Sequence, residues 1–235
     1  MTDKLTLEEQ IKLFQPLPYG HEYDAMNMPV IKRILVEDLE LDYIKPTNFS
    51  NLSGKYNNED SLVLMFQNDK RLERLWNHPL KYVPLLGSAR AVLTPDYSIY
   101  PTMNYDAVRN NVYRNRYLGC LWQIYRIRII PTIQWSLPCW DDICFSGVEN
   151  NSVVAVSTIG CQEHPQDFLR GYQEMMQRLS PTLVIVYGMM IPGIYGNIFH
   201  IDYKKAFNKN SFTWEQLQLF QVSPITTIKE GEING

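Results

Sequence analysis

Three apolar runs in this chain end in side chains that could move a proton or hold an anion. Arg90–Thr94 leads into Pro95-Asp96-Tyr97-Ser98-Ile99-Tyr100, Ser152–Val156 into Ser157-Thr158-Ile159-Gly160, and Leu183–Val186 into Tyr187-Gly188. Asp96, a carboxylate just past a buried run, is a candidate general acid or base, with Tyr97 and Tyr100 as candidate ligand contacts. Its ordinary alternative is an Asp that caps a turn by accepting backbone N–H groups. Ser157 and Thr158 are grouped with Asp96 as candidate catalytic residues. A small hydroxylated turn after a strand can present backbone amides to a phosphate, although this one lacks the glycine spacing of a phosphate loop. Trp135, closing the run from Arg128, is a candidate stacking platform, and Tyr187 a further ligand contact.

Between the first two of these runs lies YDAVRNNVYRNRYLGCLWQIYR, which the spacing predicts as a helix over 104–125. At 100° per residue, Val108, Val112, Leu118, Gly119, Leu121, Trp122 and Tyr125 share about half the circumference, the expected face toward a sheet. Asn111 and Asn115 fall inside that arc and Arg114 at its edge, while Arg109 and Arg116 point the other way. Unpaired polar groups on a buried face cost about 1–3 kcal/mol each, so Asn111, Arg114 and Asn115 need partners. Arg114 is expected to be largely buried and paired with Asp96 or another acid near the strand ends, as an anion clamp. Arg116 is expected to be the more exposed of the two. On the outer side, Arg109, Arg116, Arg126 and Arg128 alternate with Tyr113 and Tyr117, a mixture suited to phosphate contacts and base stacking. Ion pairing with neighbouring acids is the plainer account of these arginines.

The elements that position these residues alternate strand with helix, which implies an α/β fold with a mostly parallel sheet. Six or seven strands are expected, in an open sheet or a partial, irregular barrel of the triosephosphate-isomerase kind. The strand runs are Val30–Val36, Ser61–Phe66, Arg90–Thr94, Arg128–Trp135, Ser152–Val156, Leu183–Val186 and Ile198–Ile201. Pro131 interrupts the fourth, as at a strand end or bulge. The polar stretch 37–60 reads as irregular, and His164-Pro165 opens a helix to Leu179. Residues 138–146 suggest one or two helical turns. The expected organisation is an N-terminal appendage over 1–29, whose helix opens on a Thr6–Glu9 capping box, a single α/β domain over 30–207, and an amphipathic, mobile tail over 208–235. Asp96, Trp135 and Ser157 would then meet in one pocket at the carboxyl edge, where such sheets keep their sites.

Composition narrows the classes. The 235 residues are 45% hydrophobic and 20% charged, ordinary for a globular chain. A net charge of -3 excludes a protein basic throughout, so nucleic acid would have to meet a local patch. The four cysteines form no Cys-x-x-Cys pair and no histidine stands at zinc-ligand spacing, so no metal site is expected and the thiols are taken as reduced. No motif specifies a cofactor. The acidic start is not a secretory signal, and no apolar run approaches the ~18 residues of a span. A cytoplasmic protein with no membrane partner is expected.

The ordered segments PDYSIY, YRNR, IIPTIQW, VVAVSTIG and VIVYG together resemble the bacterial and bacteriophage family described as domain of unknown function 4417. The resemblance runs from about Ile31 to Ile201. It implies an origin in a phage, a prophage or another mobile element, or in the bacterium carrying one, and it implies no activity. Three functions follow from the residues. The first is an enzyme or binding protein for a phosphorylated or nucleotide-like molecule, with Asp96 as acid or base, Arg114 on the anion and Trp135 on the ring. The second is a phage accessory protein that binds DNA or RNA along the 104–128 helix. The third is a non-catalytic protein that occupies a host protein.

Overall fold

Short β-branched runs separated by helices leave one economical arrangement, strands side by side and pointing the same way. The computed structural model describes residues 4–136 and 142–202. Strands β1 (Lys45–Asn48), β2 (Ser61–Leu64), β3 (Ala91–Leu93) and β4 (Ile129–Ile130) pair in that order, as do β5 (Val153–Ser157), β6 (Leu183–Tyr187) and β7 (Ile198–Ile201). Every pairing is parallel. Just past β4, Thr132 bridges Ala155 in parallel. The Ile133 N–H donates to the Ala155 carbonyl at 2.8 Å and the Ala155 N–H to that of Pro131 at 2.9 Å, so the two ladders follow one another in chain order. Among the described residues neither β1 nor β7 has a second neighbour, and the barrel does not close.

The sheet is nonetheless strongly curled. Phe66, just past β2, stacks on Tyr187 at the end of β6 with ring centroids 4.7 Å apart and planes 4° from parallel. Four strand spacings in a flat sheet would hold those strands ~19 Å apart, so the sheet must bend around to bring the rings together. Alternation along β5 and β6 fits this shape. Val153, Ala155, Leu183, Ile185 and Tyr187 join the core that includes β2 and β3. Val154, Val156, Val184 and Val186 instead pack with Phe168, Tyr172, Met175 and Leu179 of helix α5 (Pro165–Leu179).

The other helices are α1 (Leu7–Phe14), α2 (Asp69–Asn77), α3 (Val83–Leu86) and α4 (Tyr105–Ile124). Helix α1 carries the complete Thr6–Glu9 capping box. In α4 the expectation of one buried face is corrected, because Asn115 to Trp122 are buried all the way round. The sheet covers one side, and the N-terminal segment covers another. A Cβ on Gly119 would lie 2.6 Å from Ile31 Cδ1 and 2.9 Å from Thr94 Cγ2, one contact to each layer.

Two strand expectations are also corrected. Val30–Val36 is not a ladder strand. It makes an isolated bridge from Ile31 to Val148 and then enters a 3-10 turn at Val36–Asp38. The stretch 37–60, expected to be irregular, supplies β1, where Pro46 is tolerated because β1 lies at the sheet edge. The tail over 208–235 and part of the turn expected at 138–146 lie outside the described residues.

Behind the sheet, the Trp135 indole lies against α5 so closely that a Cβ on Gly171 would come within 2.1 Å of its Cδ1. Gly171→Ala gains ~1 kcal/mol of helix propensity but overpacks this contact, and a net loss of ~1–2 kcal/mol is expected. Urea melts followed by tryptophan fluorescence check this.

Candidate functional site

The carboxyl ends of β3, β4 and β5 lie side by side, and each contributes a polar residue. Asp96 follows β3 and is mostly buried. Its carboxylate accepts a hydrogen bond from the side-chain amide of Gln134, which follows β4. Burial pushes the Asp96 carboxyl up to about 7, the Gln134 bond opposes that shift, and the nearby Asp69 charge adds to it. Near neutral pH such a carboxyl is poised to give or take a proton, as acid–base work requires. Ser157 ends β5, and its Oγ accepts from the Ile159 N–H at 3.2 Å, which shapes the following turn. In that turn the Cys161 thiol is pushed up by burial and, secondarily, by the Asp96 charge, so the β3 and β5 ends share one electrostatic neighbourhood.

Helix α4 fastens this rim. Asn115 Nδ2 donates to the Pro95 carbonyl at 2.8 Å and to that of Thr132 at 3.3 Å, tying down the residue just before Asp96 and the one two before Gln134. Asn111 Nδ2 donates to the Ser98 carbonyl at 2.8 Å. Ser98 donates to Asp69 Oδ1 from both its N–H at 3.0 Å and its hydroxyl at 3.1 Å. The loop Asp96–Ser98 is thus held from the α4 side and from α2.

The arginines exchange the roles expected of them. Arg116 is only 2% exposed. Its Nε donates to the Ser146 carbonyl at 2.8 Å, one terminal nitrogen to Asn115 Oδ1 at 2.5 Å and Thr132 O at 3.1 Å, and the other to Cys144 O at 2.9 Å. Burial brings its pKa down to about 10. The expectation of an exposed Arg116 overlooked the layer that covers α4 on its far side. Arg114 pairs with Glu73 at 2.5 Å rather than with Asp96, and its guanidinium lies 4.0 Å from the Tyr97 ring centroid and 5.1 Å from that of Trp76. It lies one residue, about 100°, around the helix from Asn115, the side chain that reaches the strand ends.

The remaining candidates divide similarly. Tyr97 is buried beneath Arg114, while Tyr100 is exposed. The Thr158 hydroxyl donates to the Met189 carbonyl at 2.7 Å and is packed against Gly188, whose φ of +120° brings the β6 turn close. Trp135 packs against Phe168, Phe145 and Gly171, and also against the cluster that includes Val108 and Val112 of α4. Tyr187 is buried in its stack with Phe66. Arg126 and Arg128 lie past the end of α4 and are exposed, Arg109 and Tyr113 on α4 are half-buried, and Arg116 and Tyr117 are buried. Arg109 donates to the Met26 carbonyl at 3.2 Å.

Sequence reasoning missed Gln134, Gln67 and Phe66. Glutamine carries no charge signal, and Phe66 read as the last residue of an apolar run. Among the described residues no cluster of three or more His, Cys, Asp or Glu side chains is placed to hold a metal ion. None of the described helices is long and apolar enough to cross a membrane.

Removing Arg116 would leave buried carbonyls and a cavity, so Arg116→Ala is expected to cost ~3–5 kcal/mol. Arg114→Ala breaks a pair whose acid is half exposed and should cost ~1–2 kcal/mol. Equal losses in urea melts would contradict this ordering.

Residues 25–204 match the family described as Domain of unknown function (DUF4417). Over 128 residues, 53% of this chain, the sequence is 36% identical to the Gene 1 protein of Mycobacterium phage D29, covering 47% of that protein. It is likewise 36% identical over 128 residues to the Gene 1 protein of Mycobacterium phage L5, covering 56% of it. The chain spans about half the length of these curated relatives. No solved structure matches. With the family match running over most of its length, the chain belongs to the DUF4417 family, and it has mycobacteriophage proteins among its relatives.

Proposed function

We propose that this phage-type protein binds or processes a small nucleotide-like ligand at the carboxyl ends of its central strands, with Asp96 as the acid–base group. The observation that carries this reading is the Asp96 carboxyl itself, held by Gln134 and brought to about 7 by burial beside the end of β5. A carboxyl that served only as a turn cap would accept backbone N–H groups and sit low. Ser157 supplies a neighbouring hydroxyl. The rim also lies where parallel α/β sheets place their ligands, since the chain there is free to vary around a rigid scaffold.

The phosphate part of the reading rests on the Ser157–Gly160 turn alone, because Arg114 is engaged by Glu73. A setting in a phage or mobile element is supported by the mycobacteriophage relatives. The nucleic-acid alternative keeps Arg126 and Arg128 but loses the Arg116–Tyr117 half of its surface to the interior.

Calorimetric titration with adenosine, guanosine, cytidine and uridine monophosphates and with ribose 5-phosphate tests the proposal. Binding of at least one probe is expected, weakened about tenfold or more by Asp96→Asn, the equivalent of losing ~1.4 kcal/mol. Binding indifferent to Asp96→Asn, or none across the panel, would remove the rim as a ligand site.

A further inference from the structure

Beside Asp96 stands a side chain whose hydrogen-bonding capacity is unused. Both amide atoms of Gln67, Nε2 and Oε1, are buried and find no hydrogen-bond partner among the described residues. Buried amides are nearly always paired, so one that offers a donor and an acceptor together and meets neither invites an explanation. Its backbone fixes where it stands. The N–H groups of Gln67 and Asp96 both donate to the Met65 carbonyl, at 3.0 Å and 3.4 Å, so the two residues lie next to one another where β2 and β3 end. Two residues further on, Asp69 anchors the Asp96–Ser98 loop through Ser98.

The residue before Gln67 supplies the second half of the argument. Phe66 is only partly buried, although one face of its ring is covered by Tyr187 in a near-parallel stack. A half-covered aromatic at a rim of amide and carboxyl groups combines an apolar surface for a flat molecule with side chains that recognise its edge. Charge argues in the same direction. Asp69 and Asp96 disfavour an anion here, and the Arg114 guanidinium pairs with Glu73 and lies over Tyr97 and Trp76, its Nε buried without a partner among the described residues.

Resting on the proposed ligand site, we infer that what this rim recognises is the planar base of its ligand, a nucleobase-type heterocycle whose donor–acceptor edge pairs with the Gln67 amide and the Asp96–Gln134 pair while its face lies on Phe66. A glutamine amide matches an adjacent donor and acceptor on a base edge in two hydrogen bonds, the geometry by which glutamine reads adenine. Bases also stack on aromatic rings whatever their sequence identity. Sugar and phosphate then add little of the affinity.

Titration with the four nucleosides and with ribose 5-phosphate tests this directly. At least one nucleoside should bind, and ribose 5-phosphate about tenfold more weakly or not at all. Gln67→Leu and Phe66→Leu should each weaken the nucleoside by about tenfold or more. Gln67→Leu should also melt no lower than the wild type without ligand, because it removes unpaired polar atoms from the interior. Gln67→Met, which keeps the side-chain length and removes both donor and acceptor, gives an independent variant with the same expected loss. Nucleoside binding that survives both Gln67 variants overturns the inference. So does Asp96-dependent binding of ribose 5-phosphate without nucleosides, which leaves the rim standing as a site. Absence of any binding removes both.

Discussion

A guanidinium taken out of water must be surrounded by acceptors, and Arg116 finds four of them in three different parts of the chain. It holds the carbonyls of Cys144 and Ser146, that of Thr132 beyond β4, and the side chain of its neighbour Asn115. None of these is a carboxylate, so the attraction comes from dipoles gathered around a fixed charge. Asp24 closes the outside of the arrangement. Its carboxylate accepts from the N–H groups of Met26, Met28 and Gly147, which pins the segment lying over Arg116. A Cβ on Gly147 would come within 2.9 Å of Arg116 Cγ, so this cover has no room to spare.

The consequence reaches the strand ends through Asn115. With its Oδ1 taken by Arg116, its Nδ2 is directed to the carbonyls of Pro95 and Thr132. These residues precede Asp96 and Gln134 by one and by two. The buried charge, the buried amide and the rim carboxyl therefore form one chain of positioning from the helix interior to the edge of the sheet. The curl of the sheet completes it, since it brings Phe66 and Tyr187 together in a stack across the concave side. Polar groups with defined partners of this kind tie the register of helix and strands in a way that apolar contacts alone do not.

Much of the scaffold was legible because its signals are strong and local. β2, β5 and β6 are nearly continuous apolar runs, as strands covered on both sides must be, and α5 repeats its apolar residues at helical spacing. β1 was not legible, since an edge strand reading Lys-Pro-Thr-Asn has neither the pattern nor the composition of a buried one. The helical wheel of α4 failed for a specific reason. It assumes one wet face, and the stretch Asn115–Trp122, covered on both sides, has none, so Arg116 was assigned to solvent when it lies in the core. Asp96 and Ser157 stand out in the sequence by their place after buried strands, and Trp135, at a similar place, fills the space over Gly171. Gln67 and Gln134 were invisible because an uncharged amide acquires meaning only from the neighbours that folding gives it.

The central claim is that this framework holds one carboxyl, Asp96, in an environment where it exchanges its proton near neutrality. A pH titration of the Asp96 side-chain carboxyl carbon by nuclear magnetic resonance, in the intact protein without ligand, measures that property directly. The account predicts a midpoint close to the value of about 7 that burial imposes. A midpoint near the ordinary aspartate value of ~3.9 would show a solvated turn residue and contradict it.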